Sequence, residues 1–143
     1  MRFVLDASLT LSWLLRDASN RNAPYAFAVL NALRAPGASA EVPVTWGLEI
    51  ANVIARAEAK AQITEAQSEA FLELLNAASI QADAATFTHA LSGILQLARR
   101  YRLSSYDASY LELALRSALP LATLDEDLQY AAEKAGVERF KLA

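Results

Sequence analysis

Short apolar runs, each too brief to stand alone, alternate with amphipathic helical stretches from one end of the chain to the other. Phe3 to Leu5, Val42 to Val44, Ala78 to Ala82 and Pro120 to Thr123 read as strands, and Val137 to Leu142 as a last short one. Pro43 limits the pairing of its strand. Helical spacing fills the intervals. Leu9 to Leu15 reads as a short helix with Ser8 as N-cap, and a polar loop follows over 17–22. The next helix shows Tyr25, Val29, Ala32 and Leu33 on one face and ends at Arg34-Ala-Pro-Gly37. Thr45 to Ala59 repeats Trp46, Ile50, Val53, Ile54 and Ala57 at helical spacing, and the capping box Thr64-Glu-Ala-Gln67 opens a helix carrying Phe71, Leu74 and Leu75. A longer helix over 84–101 turns Phe87, Leu91, Ile94, Leu95 and Ala98 inward. Two more run from Ser104-Ser105 to about Ser117, and from Asp125 to Ala135 with Gly136 as the stop. Strands alternating with helices predict an α/β chain, a three-layer α/β/α sandwich around a short, mainly parallel central sheet.

The 143 residues suit one domain, 1–143, and no repeat, linker or low-complexity tract divides them. Cysteine is absent, which removes disulfides, thiolate metal sites and a Cys nucleophile. The single histidine, His89, removes most His-based triads and zinc sites. A net charge of −3 means that nucleic acid would have to be met by a local basic patch rather than by bulk charge. The N-terminal apolar run is short and interrupted by Asp6, unlike a signal peptide. No stretch approaches the ~20 apolar residues of a membrane span. These features predict a soluble, cytoplasmic protein.

Four acids sit where a strand hands over to a helix, or on the first turns of that helix: Asp6, Glu49, Asp107 and Asp125. In a parallel sheet those places share one edge, where open α/β sheets bind their ligands. Carboxylates gathered in one cleft repel unless protons or cations separate them. An oxygen-only set suits a hard ion such as Mg²⁺, with Mn²⁺ as the alternative. Each acid also has a structural reading. Asp6 could cap a helix, although Ser8 is available for that. Glu49 borders the apolar stripe of its helix and could be a solvated acid, with Asn52 one helical turn away able to orient it or to lie at the surface. Ser104-x-x-Asp107 and Thr123-x-x-Glu126 both match capping boxes, which would make Asp107 and Asp125 first-turn acids, with Asp127 in the same turn as Asp125. Of the four, Asp6 stands best on its own.

Arg99-Arg100-Tyr101-Arg102 is the one basic cluster, readable as a solvated helix end or as phosphate-holding cations ahead of Asp107. His89 reads as an exposed or partly packed helix residue, and Trp13 and Trp46 as core or interface residues.

Several segments together resemble the PIN-domain ribonucleases, in particular the VapC toxins of bacterial toxin–antitoxin pairs. These are Phe3-Val-Leu-Asp-Ala-Ser8 with Trp13-Leu-Leu15, and Pro43-Val-Thr-Trp-Gly-Leu-Glu-Ile-Ala-Asn52. Leu103-Ser-Ser-Tyr-Asp-Ala-Ser-Tyr-Leu-Glu-Leu-Ala114 and Pro120-Leu-Ala-Thr-Leu-Asp-Glu-Asp-Leu128 complete the ordered set. The resemblance implies a PIN-like fold and places Asp6, Glu49, Asp107 and Asp125 in an acidic catalytic and metal-binding quartet. Ser8, Asn52 and Thr123 would support it, and Asp127 would be an alternative or additional acid. It further implies Mg²⁺-dependent cleavage of structured RNA, such as a tRNA or rRNA loop, by one or two ions. A homodimer and a VapB-like antitoxin are the implied partners, and Arg99, Arg100 and Arg102 are candidates for RNA contact. Two other classes remain open. One is a non-catalytic module that binds a basic peptide in the acidic cleft. The other is an Asp-based phosphotransferase, for which Asp6-Ala-Ser8 lacks the second acid of an Asp-x-Asp motif.

Overall fold

A computed structural model describes residues 1–15 and 21–142, so the predicted polar loop lies, for 17–20, outside the described residues. Four parallel strands form one sheet in the order β3-β2-β1-β4. They are β1 (Arg2–Leu5), β2 (Ser39–Val42), β3 (Ile80–Ala82) and β4 (Leu121–Ala122). The helices are α1 (Ala7–Leu11), α2 (Ala23–Leu33), α3 (Trp46–Ala59), α4 (Glu65–Ala77), α5 (Thr86–His89), α6 (Leu95–Tyr101), α7 (Ser105–Ser117) and α8 (Glu126–Ala135). This is the α/β sandwich that the alternating pattern predicts.

The register follows from burial. Phe3, Val4 and Leu5 of the interior strand β1 are all fully buried, because both faces of the sheet are covered at β1, whereas the edge strand β3 keeps Gln81 and Ala82 exposed. Each such side chain withdrawn from water stabilises the fold by about 1.5–3 kcal/mol. Phe3 also stacks on Phe140, with ring centroids 4.0 Å apart. Because every strand is parallel, the ends of β1 and β4 lie side by side, Val4 and Leu5 pairing with Leu121 and Ala122. That register puts Asp6 next to Thr123, and the Asp6 amide donates to the Ala122 carbonyl.

Several boundaries differ from the sequence reading. β2 begins at Ser39 rather than Val42, because its alternating Ser39-Ala-Glu-Val42 pattern hides a strand with one polar flank; Pro43, which lacks an N–H, lies just past its end. Asp6, not Ser8, is the N-cap residue of α1, and that helix stops at Leu11. Residues Val137 to Leu142 form no strand; a single parallel bridge joins Leu121 and Arg139. The long helix predicted over 84–101 is interrupted by a π turn at Ala90–Ile94. A π turn carries an extra residue, so a 3.6-residue period cannot be carried through it. Ile94 is buried as expected, but Phe87 and Leu91 point outward at 89% and 88% exposure. The Thr64–Gln67 capping box forms in full at the start of α4.

Candidate active site

The carboxyl ends of β1 and β4 build the centre of the site. Asp6 leaves β1 only 3% exposed. Its Oδ2 accepts hydrogen bonds from Ser8 Oγ at 2.6 Å and Thr123 Oγ1 at 2.7 Å. Both hydroxyls are themselves fixed: Ser8 Oγ accepts from the Leu124 amide at 3.2 Å, and Thr123 Oγ1 from the Asp125 amide at 2.9 Å. Thr10 Oγ1 donates to the Asp6 carbonyl at 3.1 Å and accepts from Trp46 Nε1 at 3.3 Å, tying α1 to α3. Residues 115 and more apart in sequence thus converge on one carboxylate. Burial pushes the Asp6 carboxyl above the usual carboxylate range; Ser8 and Thr123 oppose this, and the charge of Asp125 adds to it.

Glu49 enters from the first turn of α3. Its Oε1 accepts a 2.9 Å hydrogen bond from the hydroxyl of Tyr110, a side chain on α7 that is fully buried. Burial first, and then the charges of Asp6 and Asp107, push the Glu49 carboxyl up to about 7, with the Tyr110 hydrogen bond opposing them. Burial likewise raises the Tyr110 hydroxyl far above its usual range, with Asp6 and Glu49 adding to the shift. Tyr110 is therefore a neutral donor.

Asp107 lies in the first turn of α7, whose N-cap Ser104 accepts the Asp107 amide hydrogen at 3.1 Å. The predicted Ser104 cap is present, yet the carboxyl of Asp107 also feels the site. Burial and the charges of Asp125 and Asp6 push it up to about 6; Ser104 opposes the shift, and Asp127 adds a smaller push. Asp125 is the N-cap of α8, its Oδ1 accepting from the Leu128 amide at 2.8 Å. The capping box expected from Thr123 does not form, because the Thr123 hydroxyl turns to Asp6 instead. Asp127 is exposed in the first turn of α8. Of the two places open to Asn52, the structure puts it at the surface of α3, and the hydrogen bond to Glu49 comes from Tyr110 instead. Arg99 and Arg100 end α6, and Arg102 follows as its C-cap.

The structure thus brings Asp6 within electrostatic reach of Glu49, Asp107 and Asp125, and Asp107 within reach of Glu49 and Asp125, with Ser8 and Thr123 holding Asp6. The sequence reading missed Tyr110 and Thr10. Tyr110 carried a signal, since Asp107 and Tyr110 are three apart and share a helix face. Among the described residues, no three acidic side chains stand as a group ready to hold a metal ion as they are placed. The donor chemistry fits such an ion nonetheless: oxygen ligands only, whose mutual repulsion a divalent cation would relieve.

A family model described as PIN domain matches residues 3–134. No curated protein matches the chain. The crystal structure of PAE2754 from Pyrobaculum aerophilum resembles the fold with a TM-score of 0.62 at 20% identity, covering 92% of this chain and 87% of that one. No helix among the described residues is long and apolar enough to cross a membrane.

Proposed function

The chain belongs to the PIN domain family, and from that premise we propose that it is a Mg²⁺-dependent endoribonuclease, the toxin of a VapBC-like toxin–antitoxin pair. PIN domains are in general nucleases that use divalent metal ions. The observation that carries the reading is mutual: Asp6, Glu49 and Asp107 each raise, or are raised by, another acid of the same group. Ionised together, acids arranged in that way repel one another, and a bound cation would relieve the repulsion, which supports the metal-assisted reading.

When bound, Mg²⁺ or Mn²⁺ would lower the pKa of water for in-line attack on a phosphodiester and stabilise charge on the phosphoryl and leaving oxygens. Asp6 and Asp107 would hold the ion, with Asp125 and Glu49 beside them. Ser8 and Thr123 fix the Asp6 carboxylate, so its orientation is set before substrate arrives. Glu49, titrating near neutrality and oriented by Tyr110, accepts the proton of the attacking water. An RNA loop is the substrate, because unpaired bases can be splayed out and read. In the cytoplasm, a homodimer would be silenced by an antitoxin that brings an Arg into the acidic cluster, since guanidinium pairs well with carboxylate.

The test is cleavage of an RNA panel with Mg²⁺ and with EDTA, followed by sequencing of RNA ends after brief expression. Asp6→Asn or Asp107→Ala should lower the rate by about 10²–10⁴-fold. Folded protein that cuts nothing in Mg²⁺ sinks the reading and leaves an acidic cleft suited to a basic peptide.

A further inference from the structure

We propose that the groove between the end of α6 and α8 binds the single-stranded RNA that flanks the scissile phosphate. This deepens the nuclease reading and rests on it. The groove, about 600 Å³, is lined by Arg100, Tyr101, Arg102, Tyr130 and Lys134, and Asp127 stands at one end. Asp127 is two residues from Asp125, the N-cap of α8. Through Asp127 the groove lies beside the acidic centre. Along α8, Asp127, Tyr130 and Lys134 fall at spacings of three and four, one helix face. That face runs about 10 Å from the acidic end to the basic end at 1.5 Å per residue.

Charge and ring chemistry identify the occupant. None of Arg100, Arg102 and Lys134 makes an ion pair among the described residues, where the pairing cations are Arg2, His89 and Arg116. Arg100 and Lys134 lie instead over tyrosine rings, 5.7 Å from Tyr101 and 5.4 Å from Tyr130. Tyr130 is 62% exposed, so its ring is open to solvent. Arg102 caps α6 in the left-handed region at φ 54, a conformation that glycine adopts more readily, yet the position carries a guanidinium. Unpaired cations beside an exposed aromatic ring, Tyr130, form the combination that tracks a phosphate backbone while stacking unpaired bases. A duplex hides those base faces. With a net charge of −3 the chain has no bulk attraction for RNA, so local binding must come from a strip of this kind.

Fluorescence anisotropy on the full chain carrying Asp107→Asn, in Mg²⁺, tests the groove apart from cleavage. The probes are a fluorescein-labelled oligoribonucleotide and its duplex with an unlabelled complement. The single strand should bind more tightly than the duplex. Tyr130→Ala should weaken the single strand about tenfold or more, and Tyr130→Phe should restore binding. Arg102→Gly, which suits the left-handed backbone, and Lys134→Ala should each reduce the salt slope by about 0.7. Affinity and slope unchanged in Tyr130→Ala and Arg102→Gly, or equal binding of the duplex, overturn the proposal. Groove-dependent binding by a protein that never cleaves would leave the groove standing and sink the nuclease reading. Cleavage at the full rate by groove variants that carry Asp107 would do the reverse.

Discussion

At Asp83 and Glu112 the carboxylates face a cation; at Asp6, Glu49 and Asp107 they face other carboxylates. Asp83 directly follows β3 just as Asp6 directly follows β1, so the two occupy equivalent places on the sheet. Their surroundings are opposite. Arg116 donates to both oxygens of Asp83, at 3.3 and 2.5 Å, and to both oxygens of Glu112, at 2.7 and 3.1 Å. His89 Nδ1 lies 3.5 Å from Glu112. Burial is the largest single influence and would raise the Asp83 carboxyl, but the hydrogen bonds and charge of Arg116, the Ala85 amide and the Thr86 hydroxyl together outweigh it and hold it below its usual range. Around Asp6 the donors are neutral hydroxyls, and the carboxyl is pushed up. One cluster is closed by its own cation and serves the fold. The other has no cation of its own, which is the arrangement the proposed metal-assisted chemistry calls for.

Breaking the closed cluster should have the larger effect on stability. Arg116→Met leaves Asp83 and the buried Glu112 without their cation, which costs about 3 kcal/mol. Chemical denaturation should show this as a lower midpoint, while cleavage per folded molecule stays at the wild-type level. Asp6→Asn should show the opposite, losing activity without losing stability. A destabilised, inactive Asp6→Asn beside a fully stable Arg116→Met would abolish the distinction between the clusters.

pH separates the two regions with smaller shifts. Asp107 rises from 3.8 to about 6 and Glu49 from 4.5 to about 7, so the folded chain holds both protons more tightly than the unfolded chain does. Their contribution to stability is complete below those lower values and is lost as pH climbs through 6 and 7. Asp83, with its lowered pKa, acts in the other direction: its contribution is present above 3.8 and lost as pH falls through its folded value. Thermal melts with EDTA should therefore fall between pH 5 and 8, and Glu49→Gln should flatten part of that decline. Mg²⁺ should restore the melting temperature at pH 8 and do little at pH 5, where protons occupy the site. Equal Mg²⁺ effects at both pH values would show that the acids do not form one cation site.

The same pair of aspartates shows how much of the site was legible in the sequence. Parallel topology and the edge that carries Asp6 follow from strands alternating with helices, because local periodicity encodes them. Asp83 follows a short apolar strand as Asp6 does, and nothing local separates the two. What separates them is Arg116, 33 residues on, and Thr123, 117 residues from Asp6. These are tertiary contacts with no local signature. The π turn was hidden for a related reason: Phe87 and Leu91 fit a continuous helix as well as an interrupted one, and the packing of the turn against α7 lies far off in sequence. Thr123 and Asp125 show how a capping pattern misleads, since the hydroxyl that could cap α8 is drawn away to Asp6 while Asp125 takes the cap.

The smallest expected effect sharpens the comparison most, because it concerns a neutral donor where the closed cluster has a charged one. Tyr110→Phe removes only the 2.9 Å hydrogen bond to Glu49 and keeps the buried ring. A single such bond to a carboxylate contributes about 1.5–3 kcal/mol, and the half-exposed position of Glu49 places the loss at the low end. That hydrogen bond opposes the upward push of burial on Glu49. Its removal should raise the Glu49 carboxyl above 7, so more of the protein carries a protonated Glu49 at neutral pH. If Glu49 accepts the proton of the attacking water, the ascending limb of the pH–rate profile moves to higher pH. The plateau rate at high pH changes little. A purely structural Tyr110 would lower the melting temperature and leave the limb where it was. Measuring the profile of Tyr110→Phe against Glu49→Gln, which should lack the limb altogether, decides whether the neutral hydroxyl tunes a reacting group or only fills a core.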